Sequence, residues 1–368
     1  MLSLDALLDR DLDYACAALK EELTSMRGRS LAITGGAGFL GYYLALVIVW
    51  WNERAGRNGQ IKLTILDNFR RGRPQWLARL TNRATIVEFD LRSPLAKDLP
   101  EFDYVIHAAG IASPTYYRKY PIETMDANVV GLRNLLDRCV ERSTAKSPVK
   151  GFLFFSSSEI YGDPPAEAIP TPETFRGNVS CTGPRACYDE SKRYGETLCV
   201  NFAKTYDLPI AMARPFNNYG PGLKISDRRV IPDFAGSILK GEDVVLYSDG
   251  TPTRTYCYAA DAIVGYYKVL VRGHAGEPYN IGIESPEISV TQLAQMMVTT
   301  SQRLFGYKGK VAFGKTDEPE YLVDNPNRRC PDIRKAREHL DYRPCIDIAD
   351  GLERALTWYY HNPVGEDA

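Results

Sequence analysis

The spacing of hydrophobic positions changes several times along the chain, and the changes mark out its elements. Between residues 3 and 26, Leu4, Leu7, Leu8, Leu12, Ala15 and Leu19 recur at helical spacing. This predicts an amphipathic helix ahead of the main domain, placed to pack on it or on a partner subunit. Short apolar runs follow at Ser30–Thr34, Lys62–Leu66, Ala84–Phe89, Tyr104–His107, Gly151–Ser156 and Pro209–Arg214. Each has the length of a buried strand. Helical patterns lie between several of them: an apolar one ending near Trp51, and others at Ile122–Val140 and Tyr188–Tyr206. Short buried strands alternating with helices predict an α/β fold built on a doubly wound parallel sheet.

After Arg214 the pattern loosens. Pro215–Asp227 is turn-rich, and a helix at Ile231–Lys240, a strand at Asp243–Tyr247 and a helix at Ala259–Val271 follow. A mixture of short elements then ends in a helix around Trp358. The expected organisation is a helical extension over 1–28, a large sheet domain over 29–214 plus about 251–275, and a smaller α/β domain over 215–250 and 276–365 that holds the substrate. The stretch 163–185 is a long Pro/Gly/Thr-rich loop, and loops of that length inside a compact domain are usually functional.

Between the first strand and its helix runs Thr34-Gly35-Gly36-Ala37-Gly38-Phe39-Leu40-Gly41. A glycine loop in that position is a dinucleotide signature of the Rossmann type. Gly35 permits the tight turn, Gly38 lets backbone approach a pyrophosphate, and Gly41 allows close helix–sheet packing. The helix N-terminus offers amide donors and a positive dipole end to the phosphates. Asp67 ends the next strand, 26 residues after Gly41. A carboxylate there accepts from ribose hydroxyls and repels a 2′-phosphate, which favours NAD over NADP. Arg70, Arg71 and Arg73 lie close by and could tolerate that phosphate. The expected cofactor contacts are Gly35, Gly38, Phe39, Leu40, Gly41, Asp67, Asn68, Asp90, Leu91, Ala108, Tyr188 and Lys192. Asp90 ends the third strand, where adenine contacts fall or where a turn residue belongs.

Tyr188 and Lys192 form a YxxxK pair, four residues apart on a predicted helix and so on one face. A free tyrosine titrates near 10. A neighbouring ammonium and a nicotinamide cation favour the phenolate and make it a usable base. About 30 residues upstream, Ser156-Ser157-Ser158-Glu159-Ile160-Tyr161 follows a strand, placing a serine hydroxyl to hydrogen-bond a substrate oxygen as a ketone forms.

Composition narrows the function classes. The 368 residues are 44% hydrophobic and 25% charged, with a formal net charge of −1. There is no global basic field to recruit nucleic acid or an anionic membrane. The longest apolar stretch, Leu44–Trp51, is too short to span a bilayer. Eight cysteines lack CxxC spacing and the four histidines are scattered, so no metal site is expected and reduced thiols fit a cytoplasmic protein. His107 is expected to be a structural hydrogen-bonder.

The chain resembles extended short-chain dehydrogenases of the nucleotide-sugar epimerase/dehydratase superfamily, and within it is most similar to UDP-glucuronate decarboxylases. The stretches that carry the resemblance are HAAGIASPTYYRKYP at 107–121, SSSEIYGDP at 156–164, GPRACYDESKR at 183–193, RPFNNYGPG at 214–222, DRRVIPDF at 227–234, TPTRTYCYAADA at 251–262 and NPNRRCPDI at 325–333. The resemblance implies that Ser157 partners Tyr188 and that Lys192 holds the nicotinamide ribose. It implies that Glu159 works near C5 and the carboxylate of the sugar, and that Arg254 contacts the substrate and assists proton return. Ser113, Tyr117, Asn217, Arg229 and Arg329 become expected substrate contacts, with Asn217 at the diphosphate. It also implies a homodimer formed through helices 122–140 and 188–206.

The implied activity is NAD-dependent decarboxylation of a nucleotide-uronic acid through a 4-keto intermediate. A 4-epimerase on the same scaffold, or less readily a 4,6-dehydratase, is the alternative, and a non-catalytic NAD-binding scaffold is the remote one. Ser158 disfavours the dehydratase, whose family carries an aspartate there to protonate the leaving hydroxyl. Gly222 stands where these decarboxylases have arginine, Tyr116 where asparagine is expected, and HAAGIASP where HLASPASP is usual. These departures lie near the substrate and leave its identity open.

Overall fold

Most of the short apolar runs become strands because they can be buried on both faces at once, and the edge strand from Ala84–Phe89 stays partly exposed. The computed structural model describes residues 4–56, 59–95, 99–315, 323 and 325–362. Its first half contains strands β1 (Ser30–Thr34), β2 (Lys62–Asp67), β3 (Thr85–Glu88), β4 (Tyr104–His107), β5 (Gly151–Phe155) and β6 (Ile210–Pro215). The helices of this half are α1 (Leu4–Ala18), α2 (Lys20–Ser25), α3 (Phe39–Arg54), α4 (Pro114–Lys119), α5 (Pro121–Thr144) and α6 (Ala186–Tyr206). The second half adds β7 (Asn218–Tyr219), α7 (Val230–Leu239), β8 (Val244–Leu246), β9 (Thr253–Arg254), β10 (Cys257–Tyr258), α8 (Ala259–Arg272) and β11 (Pro278–Ile281). It closes with β12 (Ile288–Ser289), α9 (Val290–Phe305), β13 (Val311–Phe313), β14 (Arg328–Arg329), α10 (Arg334–Leu340) and α11 (Ile348–His361).

Seven strands form one parallel sheet in the order β11-β6-β5-β4-β1-β2-β3. Alternate residues of each strand enter opposite cores. Leu153 and Phe155 join Leu31 and Ile33 under α3 and α8. Phe152 and Phe154 join Val105 and Met212 under α5 and α6. Both faces are dry, so these strands read as continuous apolar runs. The order reverses between β1 and β4, and the loops leaving those carboxyl ends frame the cleft where an open α/β sheet binds its ligand.

A second core gathers Ile231, Phe234, Val244, Leu293, Met297, Leu352 and Leu356 beside the first. Its membership corrects the expected boundaries. β11, expected in the small domain, pairs with β6 as the seventh strand of the large sheet, because the edge of β6 still has backbone groups to satisfy. Ala336 and Leu340 of α10 likewise pack in the large core. Thr253–Arg254, expected with the large domain, instead pairs with β12 and β14 in a separate three-stranded sheet.

The predicted N-terminal helix breaks at Leu19 into α1 and α2 and packs on this chain's own core. Leu7, Leu12, Ala15, Leu19, Leu23 and Met26 are buried against α3 and α8. Asp11 anchors the extension. Its carboxylate accepts from the hydroxyls of Tyr43 on α3 (3.1 Å) and Tyr258 on β10 (2.6 Å) and from Arg354 Nη1 on α11 (2.5 Å). One side chain thereby ties the extension to both cores. Replacing Asp11 with Ala leaves Arg354 and two phenols buried without that acceptor. The expected loss is about 3 kcal/mol of stability, read as a lower urea midpoint, with Asp11→Asn losing less.

Candidate active site

The glycine loop is shaped by backbone crowding at the switch point. Gly35 has φ +67°, and a Cβ there would lie 2.6 Å from the Ala109 backbone in the loop after β4. Ala108 continues β4 by donating its N–H to Thr34 O (3.1 Å). A Cβ on Gly41 would strike Gly36 O at 2.5 Å, so Gly41 lets the helix approach the loop itself rather than a strand. Gly38 caps α3 and meets only Gly35 O, at 3.2 Å, which leaves its outer side open to a ligand. Phe39 and Leu40 begin the helix at the same mouth.

Asp67 is half-buried and accepts from the backbone of Ala37 (3.0 Å) and Phe69 (2.9 Å), while burial raises its pKa. Asp90 is gripped by Arg92, with a closest contact of 2.6 Å, and that ion pair holds its carboxyl down to about 2. Asn68 reaches the same carboxylate at 3.4 Å. Leu91 is buried beneath Gly131 of α5. The three nearby arginines are engaged elsewhere: Arg70 with Glu123, Arg71 with Asp227, and Arg73 over the Phe69 ring. Asp67 therefore stands as the carboxylate at the end of β2, with no arginine paired to it among the described residues.

Tyr188 and Lys192 lie in the first turns of α6, both buried. Ser157 sits on the turn after β5. Its Oγ accepts from Glu159 N (3.1 Å), which frees its proton for the Tyr188 phenol. Burial pushes the Tyr188 phenol up to about 12, against the lowering pull of Ser157 and Arg229. The same burial pushes the Lys192 ammonium down to about 7. Lys192 Nζ donates to Phe155 O at 2.8 Å and lies 5.8 Å from the Tyr188 ring centroid. Desolvation thus dominates the tyrosine, and the groups that lower it are Ser157 and Arg229 rather than the expected lysine. Tyr117 stacks on Tyr188, with centroids 5.1 Å apart and planes 11° apart, and its own hydroxyl is buried without a partner. His107 bonds Thr34 Oγ1 through Nδ1 (2.8 Å), and burial pushes it down to about 3, so it is neutral and structural.

Beside this pair lies a cluster of charges drawn from four places in the chain. Glu159 is clasped between Arg185, at the N-cap of α6, and Arg329 on β14. The guanidiniums outweigh burial and hold its carboxyl down to about 2. Arg254 is buried alongside, its Nη groups donating to Thr253 O, Asn327 O, Asn325 Oδ1 and Pro326 O. Asp189 completes the cluster, 3.7 Å from Arg185 Nε. Neither Arg185 nor Asp189 was among the expected site residues. The signal was present in the string GPRACYDE, where the two are four residues apart and share a helix face. Asn128, also missed, donates to Ser191 Oγ at 2.9 Å beneath the pair.

The remaining expected contacts stand in different states. Asn217 follows β6 with φ +38° and donates to Thr255 O (3.0 Å). Arg229 pairs with Asp227 (2.5 Å) and reaches over Phe39 at the glycine loop. Ser113 commits its hydroxyl to Asp227 O at 2.8 Å, which makes it a tie between loops rather than a free ligand. The sequence departures have physical partners. Gly222 has φ +86°, and a Cβ there would fall 2.8 Å from the Tyr42 ring, so Tyr42 occupies the space of a larger side chain. Tyr116 carries the Arg71 guanidinium 4.4 Å above its ring centroid.

A model of the NAD dependent epimerase/dehydratase family matches residues 31–282. The chain is 33% identical over 341 residues to UDP-glucuronic acid decarboxylase 1 of Arabidopsis thaliana, covering 92% of this chain and 71% of that protein. It is 34% identical over 324 residues to UDP-glucuronic acid decarboxylase 3 of the same plant, covering 88% and 86%. Among solved structures, dTDP-glucose 4,6-dehydratase DesIV of Streptomyces venezuelae with NAD and TYD bound matches with a TM-score of 0.76 at 25% identity, covering 90% of this chain and 97% of that one. The UDP-glucuronic acid 4-epimerase of Bacillus cereus shares the fold, with a TM-score of 0.70 at 24% identity over 90% and 99% of the two chains.

The Glu159 clasp has a consequence for stability. Its carboxyl lies near 2 in the fold against 4.5 in a free chain. The stabilisation is therefore complete above about pH 4.5 and is lost as pH falls toward 2. Glu159→Gln is expected to cost about 3 kcal/mol at pH 7. Urea midpoints of the two proteins should converge below pH 4.5.

Proposed function

The chain belongs to the NAD dependent epimerase/dehydratase family, and from that premise we propose that it decarboxylates a nucleotide-uronic acid, taking a UDP-glucuronate-type substrate to a UDP-xylose-type product through a 4-keto intermediate. The observation that carries this reading is the charge cluster beside Ser157 and Tyr188. Three buried guanidiniums, Arg185, Arg254 and Arg329, face two carboxylates, Glu159 and Asp189. A surplus of buried positive charge is costly until an anion joins it. A C6 carboxylate on the sugar is such an anion, and a neutral hexose is not.

The residues fit a nicotinamide dinucleotide. The outer side of Gly38 is open at the N-terminus of α3, which suits a pyrophosphate. Asp67 suits the adenosine ribose. Lys192 is a buried cation that donates to the Phe155 carbonyl, and it suits the nicotinamide ribose. Bound there, NAD would supply a reversible hydride acceptor for C4. Tyr188 takes the proton of the C4 hydroxyl as its phenolate, the form that burial disfavours and that a bound nicotinamide cation would favour, and Ser157 donates to the same substrate oxygen as it becomes a ketone. With the ketone β to the carboxylate, the C5–C6 bond breaks and its electron pair moves onto the C4 oxygen. Ser157 and Tyr188 stabilise that oxyanion. Glu159, held ionised, orients rather than donates a proton. Arg254 stays charged at neutral pH, its pKa lowered only to about 10, and contributes field near C5, where a proton must return.

We further read the chain as a cytoplasmic homodimer. Ile122, Met125 and Val130 on α5 and Tyr194, Val200 and Tyr206 on α6 are exposed and suit a second copy. The eight cysteines, all unpaired, suit a reducing compartment. No helix among the described residues is long and apolar enough to cross a membrane.

Purified protein incubated with NAD and UDP-glucuronate is expected to yield a nucleotide sugar lighter by one carbon dioxide, seen by mass spectrometry. A new chromatographic peak of unchanged mass would replace this reading with 4-epimerisation, and no change would reject the substrate. Tyr188→Phe is expected to lower kcat by about 10²–10⁴-fold, measured as product formed per unit time.

A further inference from the structure

Asp189 stands next to the proposed base yet has no assigned task. Its carboxylate is buried, with Oδ1 lacking any hydrogen-bond partner. Among the described residues its ion-pair partner is Arg185, four residues back, at 3.7 Å, longer than an ordinary hydrogen bond, with Arg329 pulling on the carboxylate from farther away. The buried Nε of Arg185 is likewise unpartnered. The far end of the same guanidinium is spent on Glu159. Two carboxylates thus share one arginine, and Glu159 holds it by a direct hydrogen bond, reinforced from the other side by Arg329. Asp189 is the carboxylate whose charge is least compensated.

The groups facing Asp189 come from every element around it. Arg185, Cys187 and Tyr188 belong to the start of α6, Glu159 to the turn after β5, Tyr117 to α4 and Arg329 to β14. Its place in the first turn of α6 favours a negative charge. Burial and the repulsion of Glu159 oppose that and push its carboxyl up to about 7.

We infer that uronate binding is proton-linked through Asp189: when the sugar carboxylate enters the cluster as a third anion, Asp189 takes up a proton from solvent and frees the field of Arg185 for the newcomer. This rests on the uronate reading above. The only bond formed at Asp189 is the O–H bond to a proton given up by solvent; the residue acts through Arg185 and is a positioning residue. Linkage is reciprocal, so protonated Asp189 raises uronate affinity by the factor by which the uronate favours the proton. The sign follows: affinity is highest where Asp189 is protonated and falls as pH rises above 7. A nucleotide-pentose lacks the carboxylate and should show no such link, so release of the product is insensitive to the same proton.

The test is titration calorimetry on NAD-loaded Tyr188→Phe protein, which binds without turnover, at pH 7.5 in buffers of different ionisation enthalpy. UDP-glucuronate is expected to bind with net uptake of up to about one proton per site, and UDP-xylose with none. Adding Asp189→Asn should abolish the uptake. In the otherwise native protein, KM for UDP-glucuronate should rise above pH 7.5 by up to about tenfold per pH unit, and Asp189→Asn should flatten that rise. A merely structural Asp189 would not move the pH profile. Binding of UDP-glucuronate without proton uptake, or uptake that persists in Asp189→Asn, overturns the inference and leaves the decarboxylase reading standing. Failure of UDP-glucuronate to bind at all overturns that reading instead.

Discussion

The parallel pairing of β1 with both β2 and β4 is the constraint on which the rest of the molecule depends. It sends the chain in opposite directions from one strand end and opens a crevice that no helix covers. Gly35 fits there because the Ala108–Ala109 backbone crosses within 2.6 Å of where its Cβ would be. Asp67, Ser157 and Asn217 all enter from neighbouring strand ends, so one register decision on β1 places the cofactor cradle, the phenol's partner and the substrate loop at once.

Onto that frame the protein builds an electrostatic division of labour. On the cofactor side, Lys192 is buried among aromatic rings and a carbonyl, with Phe154 and Tyr188 both near it. On the other side, Glu159 is held by two arginines that lie 144 positions apart in the chain. Desolvation acts on both, but the outcome differs because only Glu159 has opposite charges in contact. Tyr188 sits between the two regions, its hydroxyl tied to Ser157 and its ring covered by Tyr117.

Two of the departures from the family pattern have partners of their own. Tyr42 fills the space beside Gly222, Tyr116 carries Arg71, and Arg71 reaches Asp227, whose backbone is held by Ser113 and whose carboxylate holds Arg229. Arg71 and Ser113 thereby join the loops after β2 and β4 to the turn before α7.

The sequence by itself determined the parts whose cause is local. Strand and helix periods marked six strands of the sheet and most helices to within a few residues, because each period reports burial of the element's own side chains. The glycine loop and the Tyr188/Lys192 pair were legible because spacing along one turn or one helix defines their geometry. Only the tertiary structure decided what depends on a distant partner. β11 joined the large sheet because β6 had an open edge. The N-terminal helices joined the core because Asp11 found Tyr43, Tyr258 and Arg354. Arg185 and Asp189 became part of the site because the turn after β5 brings Glu159 to them, 26 residues from Arg185 along the chain. A charge read in sequence has no sign of its burial or its partners, and in a buried cluster those two facts set its chemistry.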